Sequence, residues 1–216
     1  MIAPLPPLWR TGAACVAAWS VLMAVALWLR PPMPIDETRY LAVAWEMWTS
    51  GDQLVPHLLG QPYAHKPPLL FWLIEAGWWV FGVSEAWGRL AAPLAALAAT
   101  LLTMDLARRL WTDDGGRAAR LAPVLLLGCV FWAVFSTLTM FDCLLTCCVL
   151  VGMHGVAAAG LSGGRSGWKR LALGVALGIL AKGPVALLHL LPALVLAPWW
   201  AATSGPARPA WRWWYA

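Results

Sequence analysis

Charge is scarce in this sequence. Asp, Glu, Lys and Arg make up 12% of the 216 residues against 61% hydrophobic ones, whereas soluble domains carry about a quarter charged residues. A water-soluble core cannot absorb that excess, so a soluble globular fold is excluded. Cysteine is sparse too. Cys15, Cys129, Cys143, Cys147 and Cys148 all sit in apolar segments without a paired metal-ligand spacing, which leaves them as small core residues. The first apolar stretch ends in Leu29-Arg30-Pro31-Pro32 and lacks the small-x-small site that a signal peptidase cuts, so it stays as an anchor. No internal repeat is visible.

What is present are runs of the ~20 apolar residues that cross a bilayer. Spans are expected near 11–29, 87–107, 118–139, 142–160, 170–182 and 184–202, with a long polar insertion from Pro31 to Lys66 after the first. Many of the seventeen tryptophans cluster near the ends of these runs, among them Trp28, Trp111, Trp199 and Trp200, at the depth of lipid headgroups. His154 and His189 fall inside spans, where hydrogen-bonded packing roles are expected. The turn Ser162-Gly163-Gly164-Arg165-Ser166-Gly167 is the only flexible-looking linker, so 1–216 reads as one domain. Trp211-Arg212-Trp213-Trp214-Tyr215 reads as the opening of another span, and a longer chain is expected.

Residues 67–82 are apolar but only sixteen long, and they hold Glu75 with Trp72, Trp78 and Trp79. The positive-inside rule decides whether they cross. If they lie at the interface and the N-terminus is cytoplasmic, the inner face holds ten of the fifteen Lys and Arg residues: Arg10, Arg108, Arg109, Arg117, Arg120, Arg165, Lys169, Arg170, Arg208 and Arg212. If they cross, only Arg10, Arg89 and Lys182 remain inside. The interfacial arrangement is therefore expected, with a first outer loop of 31–82. Topology also accounts for the net charge of +5 without a nucleic-acid partner. Asp36, Glu37, Glu46, Asp52, Glu75, Glu85 and Asp142 then gather at the outer rim with Lys66 and Lys182. A transporter would place such groups at mid-membrane depth.

The insertion opens Pro34-Ile35-Asp36-Glu37-Thr38-Arg39-Tyr40, followed by Leu41, Ala44, Trp45 and Trp48 at helical spacing, an amphipathic helix lying on the membrane. Asp36 stands where an N-cap belongs, and its carboxylate either satisfies free N–H groups or serves as a general base beside a lipid headgroup. Glu37 in the same first turn suits the helix dipole. The insertion closes Gly60-Gln61-Pro62-Tyr63-Ala64-His65-Lys66-Pro67-Pro68. Lys66 lies just before a helix start, a placement that suits either a bound phosphate or anionic lipid headgroups. Asp142 and Lys182, each flanked by apolar spans, form an ion pair or a functional site, since charges there are costly.

With these residues in order, the chain resembles the integral-membrane glycosyltransferases of the GT-C fold, in the bacterial branch of aminoarabinose lipid A transferase and the protein mannosyltransferase-like enzymes. The resemblance rests on Asp36-Glu37-Thr38-Arg39-Tyr40, Ser50-Gly51-Asp52, Val55-Pro56-His57-Leu58-Leu59-Gly60, Lys66-Pro67-Pro68-Leu69, Phe81-Gly82, Asp142 and Ala181-Lys182-Gly183-Pro184. It implies an all-α polytopic membrane protein with two membrane-parallel helices in the first outer loop. Asp36 and Asp142 would be the catalytic carboxylates, and Glu37, Arg39, Tyr40, Tyr63, Lys66 and Lys182 would contact substrate. The implied function is transfer of a sugar from a polyprenyl phosphate carrier to a lipid A-like glycolipid, glycan or protein at the outer face of a bacterial inner membrane. No obligate cofactor is expected; Asp36 and Glu37 alone are a weak signal for a divalent metal. His65 beside Lys66 and Cys143 after Asp142 depart from the family pattern, and relatives are over twice as long. The reading from another class is a non-enzymatic membrane protein, either a lipid-carrier translocase or an inactive remnant.

Overall fold

A computed structural model describes residues 7–112, 114–162 and 165–201. The chain runs α1 (Leu8–Leu29), α2 (Asp36–Ser50), a two-stranded hairpin of β1 (His57–Leu58) and β2 (Gln61–Pro62), α3 (Leu69–Phe81), α4 (Glu85–Leu110), α5 (Arg117–Gly128), α6 (Val130–Phe135), α7 (Phe141–Ser162), α8 (Arg165–Lys182), α9 (Val185–Val195) and α10 (Ala197–Trp200). Among the described residues α1, α4 and α7 are long and apolar enough to cross a membrane. The Gly163-Gly164 linker and the segment 211–215 lie outside the described residues.

Local chemistry sets several boundaries. The Ser84 hydroxyl caps α4 by accepting from Trp87 N at 3.1 Å, with Glu85 in the first turn and Arg108 and Arg109 in the last, each sign matched to the helix dipole. α8 stops at Gly183, whose φ of 73° favours glycine and whose N–H donates to Ile179 O at 2.8 Å; Pro184 then forbids continuation. This stop leaves Lys182 at the helix end. α7 and α8 pack with almost no gap: a Cβ on Gly155 would strike the Leu171 backbone, and one on Gly174 the Gly152 backbone. Small residues on both faces are what let two helix backbones approach so closely in a membrane.

Two expected spans are interrupted. The run 118–139 breaks at Cys129, extended at ψ 118°, between α5 and α6, and its remainder through Met140 is turn and loop. The Cys129 N–H stays satisfied by Leu125 O and Leu126 O at 3.0 and 3.1 Å, as backbone at membrane depth requires. The run 184–202 breaks at Leu196, whose N–H donates to Pro192 O at 3.0 Å, and Pro198 opens the next turn, where its missing N–H is harmless. α8 begins five residues before the expected 170, at Arg165.

The course of the first loop follows from contacts. An Arg89 Nη near the start of α4 donates to Ala26 O at 3.1 Å and Arg30 O at 2.8 Å at the end of α1. The chain from 31 to 84 therefore begins and ends at one rim. α2 has 15 residues and α3 has 13, about 22 and 20 Å of helix, both short of a ~30 Å hydrocarbon layer. Neither crosses. Their packed faces hold the main core, with Met47, Leu70, Phe71 and Ile74 fully buried.

The same parity places the loop after α4 at the opposite rim. Gly116 is a poor site for a thiol probe, because its φ is 77° and a Cβ would meet Arg120 Nη1 at 2.8 Å; exposed Arg117 is the better one. With native cysteines replaced, Arg117→Cys is expected to resist a membrane-impermeant maleimide in intact cells and to label fully after permeabilisation. Labelling from outside would mean that α3 crosses the bilayer.

Candidate functional site at one membrane rim

Glu37 anchors the rim. Its carboxylate is 1% exposed and accepts from four donors: an Arg30 Nη, Met33 N at 2.8 Å, Thr139 N at 2.9 Å and Thr139 Oγ1 at 3.1 Å. Arg30 also donates to Thr137 O at 3.2 Å. One acidic group thus joins the end of α1, the start of α2 and the turn before α7. Burial acts to raise the Glu37 pKa, yet the Arg30 hydrogen bond and the backbone N–H groups of Met33 and Thr139 outweigh it and hold the carboxyl below its ordinary value.

Beside this clamp, Asp36 does not cap its helix. Ile35 occupies the N-cap without a side-chain bond, and the half-exposed Asp36 carboxylate accepts instead from an Arg39 Nη and from the Tyr40 hydroxyl at 3.3 Å. Burial and the Asp36 charge push Tyr40 up to about 12, so it stays a neutral donor. Tyr40 packs edge-on against Phe141, centroids 4.9 Å apart; Phe141 packs edge-on against Phe71 at 5.4 Å, and Phe71 meets Tyr63 at 6.4 Å. Lys66 Nζ lies 5.7 Å from the Phe141 centroid, a cation–π distance, and makes no ion pair with a described residue.

Two polar atoms in this cluster have no partner. The Tyr63 hydroxyl and Arg39 Nε are both buried and unbonded, an unusual expense for a folded protein. Tyr63 is 6% exposed and carries His65 stacked on its ring at 5.2 Å. Burial raises its pKa, as does Asp36, while Arg39 opposes them. Donors and cations therefore gather around one carboxylate, an arrangement able to receive an anionic group next to a base. Asp36 and Glu37 diverge, one half-exposed and the other enclosed by four donors. Among the described residues no three His, Cys, Asp or Glu side chains come together as a ligand set.

Asp142 and Lys182 form the ion pair that their cost at span ends suggested. Asp142 lines a cleft of about 260 Å³ together with Phe131, Trp132, Phe135, Cys143 and Thr146. The Asp36 and Asp142 carboxylates share no partner among the described residues. Sequence reasoning missed Phe141, Arg30 and Thr139. Phe141 is one more aromatic among many, and the Glu37 to Thr139 contact spans 102 residues. His154 is a packed residue, with Nε2 3.0 Å from Leu102 O, whereas His189 is exposed on α9.

A helical membrane protein with its polar site on short helices at one rim is the class that fold and site define, and comparison with known proteins narrows it. Residues 65–215 match the family model described as dolichyl-phosphate-mannose-protein mannosyltransferase, and the chain belongs to that family of GT-C glycosyltransferases. It is 33% identical over 198 residues to undecaprenyl phosphate-alpha-4-amino-4-deoxy-L-arabinose arabinosyl transferase of Edwardsiella ictaluri, covering 85% of this chain and 35% of the relative. The Pseudomonas aeruginosa protein of the same name is 34% identical over 168 residues, 76% of this chain and 30% of the relative. The crystal structure of ArnT from Cupriavidus metallidurans bound to undecaprenyl phosphate superposes with a TM-score of 0.71 at 30% identity, covering 88% of this chain and 35% of that one. Its apo form gives 0.70 at 28% identity, covering 89% and 36%. The chain thus spans about a third of the length of these relatives.

The Glu37 clamp generates a stability prediction. Glu37→Ala strands Arg30 and the Thr139 N–H in a buried site and is expected to cost about 3 kcal/mol, read as a lowered melting temperature in detergent, with Glu37→Gln milder. Because the folded pKa is depressed, the stabilisation is full above the unfolded carboxyl value near ~4.3 and is lost as pH falls through the folded value. Acid sensitivity in that window should weaken in Glu37→Gln. An unchanged acid profile would contradict the clamp.

Proposed function

We propose that this chain is the amino-terminal part of a glycosyltransferase that moves a sugar from a polyprenyl phosphate carrier to an envelope acceptor. The acceptor is a lipid A-like glycolipid, a glycan or a protein, and the reaction occurs at the periplasmic face of a bacterial inner membrane. The observation that carries this reading is the cluster at one rim, where among the described residues Lys66 has no ion-pair partner and the buried Tyr63 hydroxyl and Arg39 Nε have no hydrogen-bond partner around Asp36. A phosphate monoester or diester at a membrane surface supplies the missing acceptors. The names of both arabinosyl transferases and of the ligand-bound crystal structure include undecaprenyl phosphate, which supports the same carrier. The excess of arginine at the opposite rim supports the periplasmic assignment.

In the proposed reaction an acceptor hydroxyl attacks the anomeric carbon, the bond from that carbon to the phosphate oxygen breaks, and polyprenyl phosphate leaves with the bonding electron pair. The anomeric configuration inverts. Asp36 takes the acceptor proton, or orients the hydroxyl that loses it. Lys66, with Arg39 and Tyr63, stabilises the charge that grows on the departing phosphate. The Asp142–Lys182 pair supports the rim beside this site. No step requires a metal, since the leaving phosphate is met by cations of the chain.

The test uses the full-length protein with a lipid-linked sugar donor. Asp36→Asn is expected to lower kcat by about 100-fold or more with little change in donor binding, whereas Lys66→Ala weakens donor binding as well as turnover. EDTA should leave transfer intact. Full activity in Asp36→Asn would remove it from catalysis, EDTA loss restored by a divalent ion would make the enzyme metal-dependent, and carrier flipping without transfer would favour a translocase.

A further inference from the structure

The rim opposite the candidate site carries an arginine fork next to an apolar groove. Asp105, one turn before the end of α4, accepts from Arg109 Nε at 2.7 Å and from an Arg108 Nη, and lies 3.7 Å from His154 Nδ1. Binding through Nε fixes the Arg109 guanidinium, while its two Nη groups have no acceptor among the described residues. Arg109 borders a recess of about 230 Å³ formed with Ala157, Ala158 and Leu161. At Ala157 this recess meets a groove of about 470 Å³ between α4, α7 and α9, walled by Leu106, Met153, Val156, Pro192 and Leu196. Trp111, 55% exposed, stands at its mouth.

We propose that recess and groove together bind an anionic phospholipid, with the phosphate on Arg109 and one acyl chain along the groove. The charge balance favours this occupant: Arg109 is the charged residue that lines the recess, and in the cluster behind it one carboxylate, Asp105, is shared by two guanidiniums. The Nη pair left open by the Nε bond is the parallel donor fork that matches two phosphate oxygens. The groove that continues from it is apolar, as an acyl chain requires, and the indole at the mouth suits headgroup depth. A protein segment laid in the groove would fill the apolar walls but leave the fork unmet. A lipid satisfies both at once. This rim also carries most of the basic residues, the side that meets the anionic leaflet.

Native mass spectrometry of the purified full-length protein, offered equimolar phosphatidylglycerol and phosphatidylcholine of the same acyl composition, tests the proposal. The expected result is retention of phosphatidylglycerol roughly five-fold over phosphatidylcholine, the factor that one cation at an anionic surface supplies. Arg109→Gln should abolish that preference and Arg109→Lys should keep part of it. Arg117→Gln, at the same rim but away from the recess, should leave it unchanged, and Met153→Trp should lower retention of both lipids by filling the groove. Equal retention of the two lipids, retention of neither, or a preference that survives Arg109→Gln would overturn the proposal.

Discussion

The buried carboxylate of Glu37 is the interaction on which the rim depends. A charge removed from water is tolerated only when hydrogen bonds and a counter-ion surround it, and here they come from two distant stretches of chain, the connector that holds Arg30 and Met33 and the turn that holds Thr139. Satisfying it therefore fixes α2 against the end of α1 and against the turn that opens α7. That turn delivers Phe141, the ring on which Tyr40, Phe71 and Lys66 converge. A polar demand at one residue sets the place of an aromatic hub, and the hub sets the place of Tyr40 and Lys66.

The fold also shows how a membrane protein separates its tasks by depth. Deep in the bundle, α7 and α8 meet through glycines and leave no room for a side chain, which gives a rigid pair whose ends carry Asp142 and Lys182. At the rim, short amphipathic helices replace spans, and polar groups find partners in loops: Trp72 Nε1 and the Glu75 carboxylate both bind Gln53 of the 51–56 loop. Burial raises the Glu75 pKa, with Gln53 opposing. Catalytic-type groups belong to the second zone, where water and a lipid headgroup can both reach.

Much of this was legible before any coordinates. The count of arginines on each side identified 67–82 as a helix that does not cross, and the contact of Arg89 with the end of α1 gives the same parity by a separate route. The cost of isolated charges at span ends left an ion pair or a functional site open for Asp142 and Lys182, and the structure shows the pair. The breaks at Cys129 and Leu196 were not legible, because an apolar run reads alike whether its backbone is continuous or interrupted. Asp36 looked like a cap by position, but Arg39 and Tyr40, three and four residues on, compete for it. The role of Glu37 was not legible because one of its partners, Thr139, lies 102 residues away, beyond any local pattern.

Where a carrier phosphate binds relative to Lys66, Tyr63 and Arg39 is the decisive quantity. A cryo-electron microscopy structure of the full-length protein with polyprenyl phosphate bound would measure this directly. The phosphate is predicted within hydrogen-bond reach, about 3 Å, of Lys66 Nζ and of the Tyr63 hydroxyl or Arg39, at the rim where Asp36 opens to the surface. A phosphate seated at the other end of the bundle, or one that leaves Tyr63 and Arg39 unpaired with Lys66 turned to bulk lipid, would contradict it.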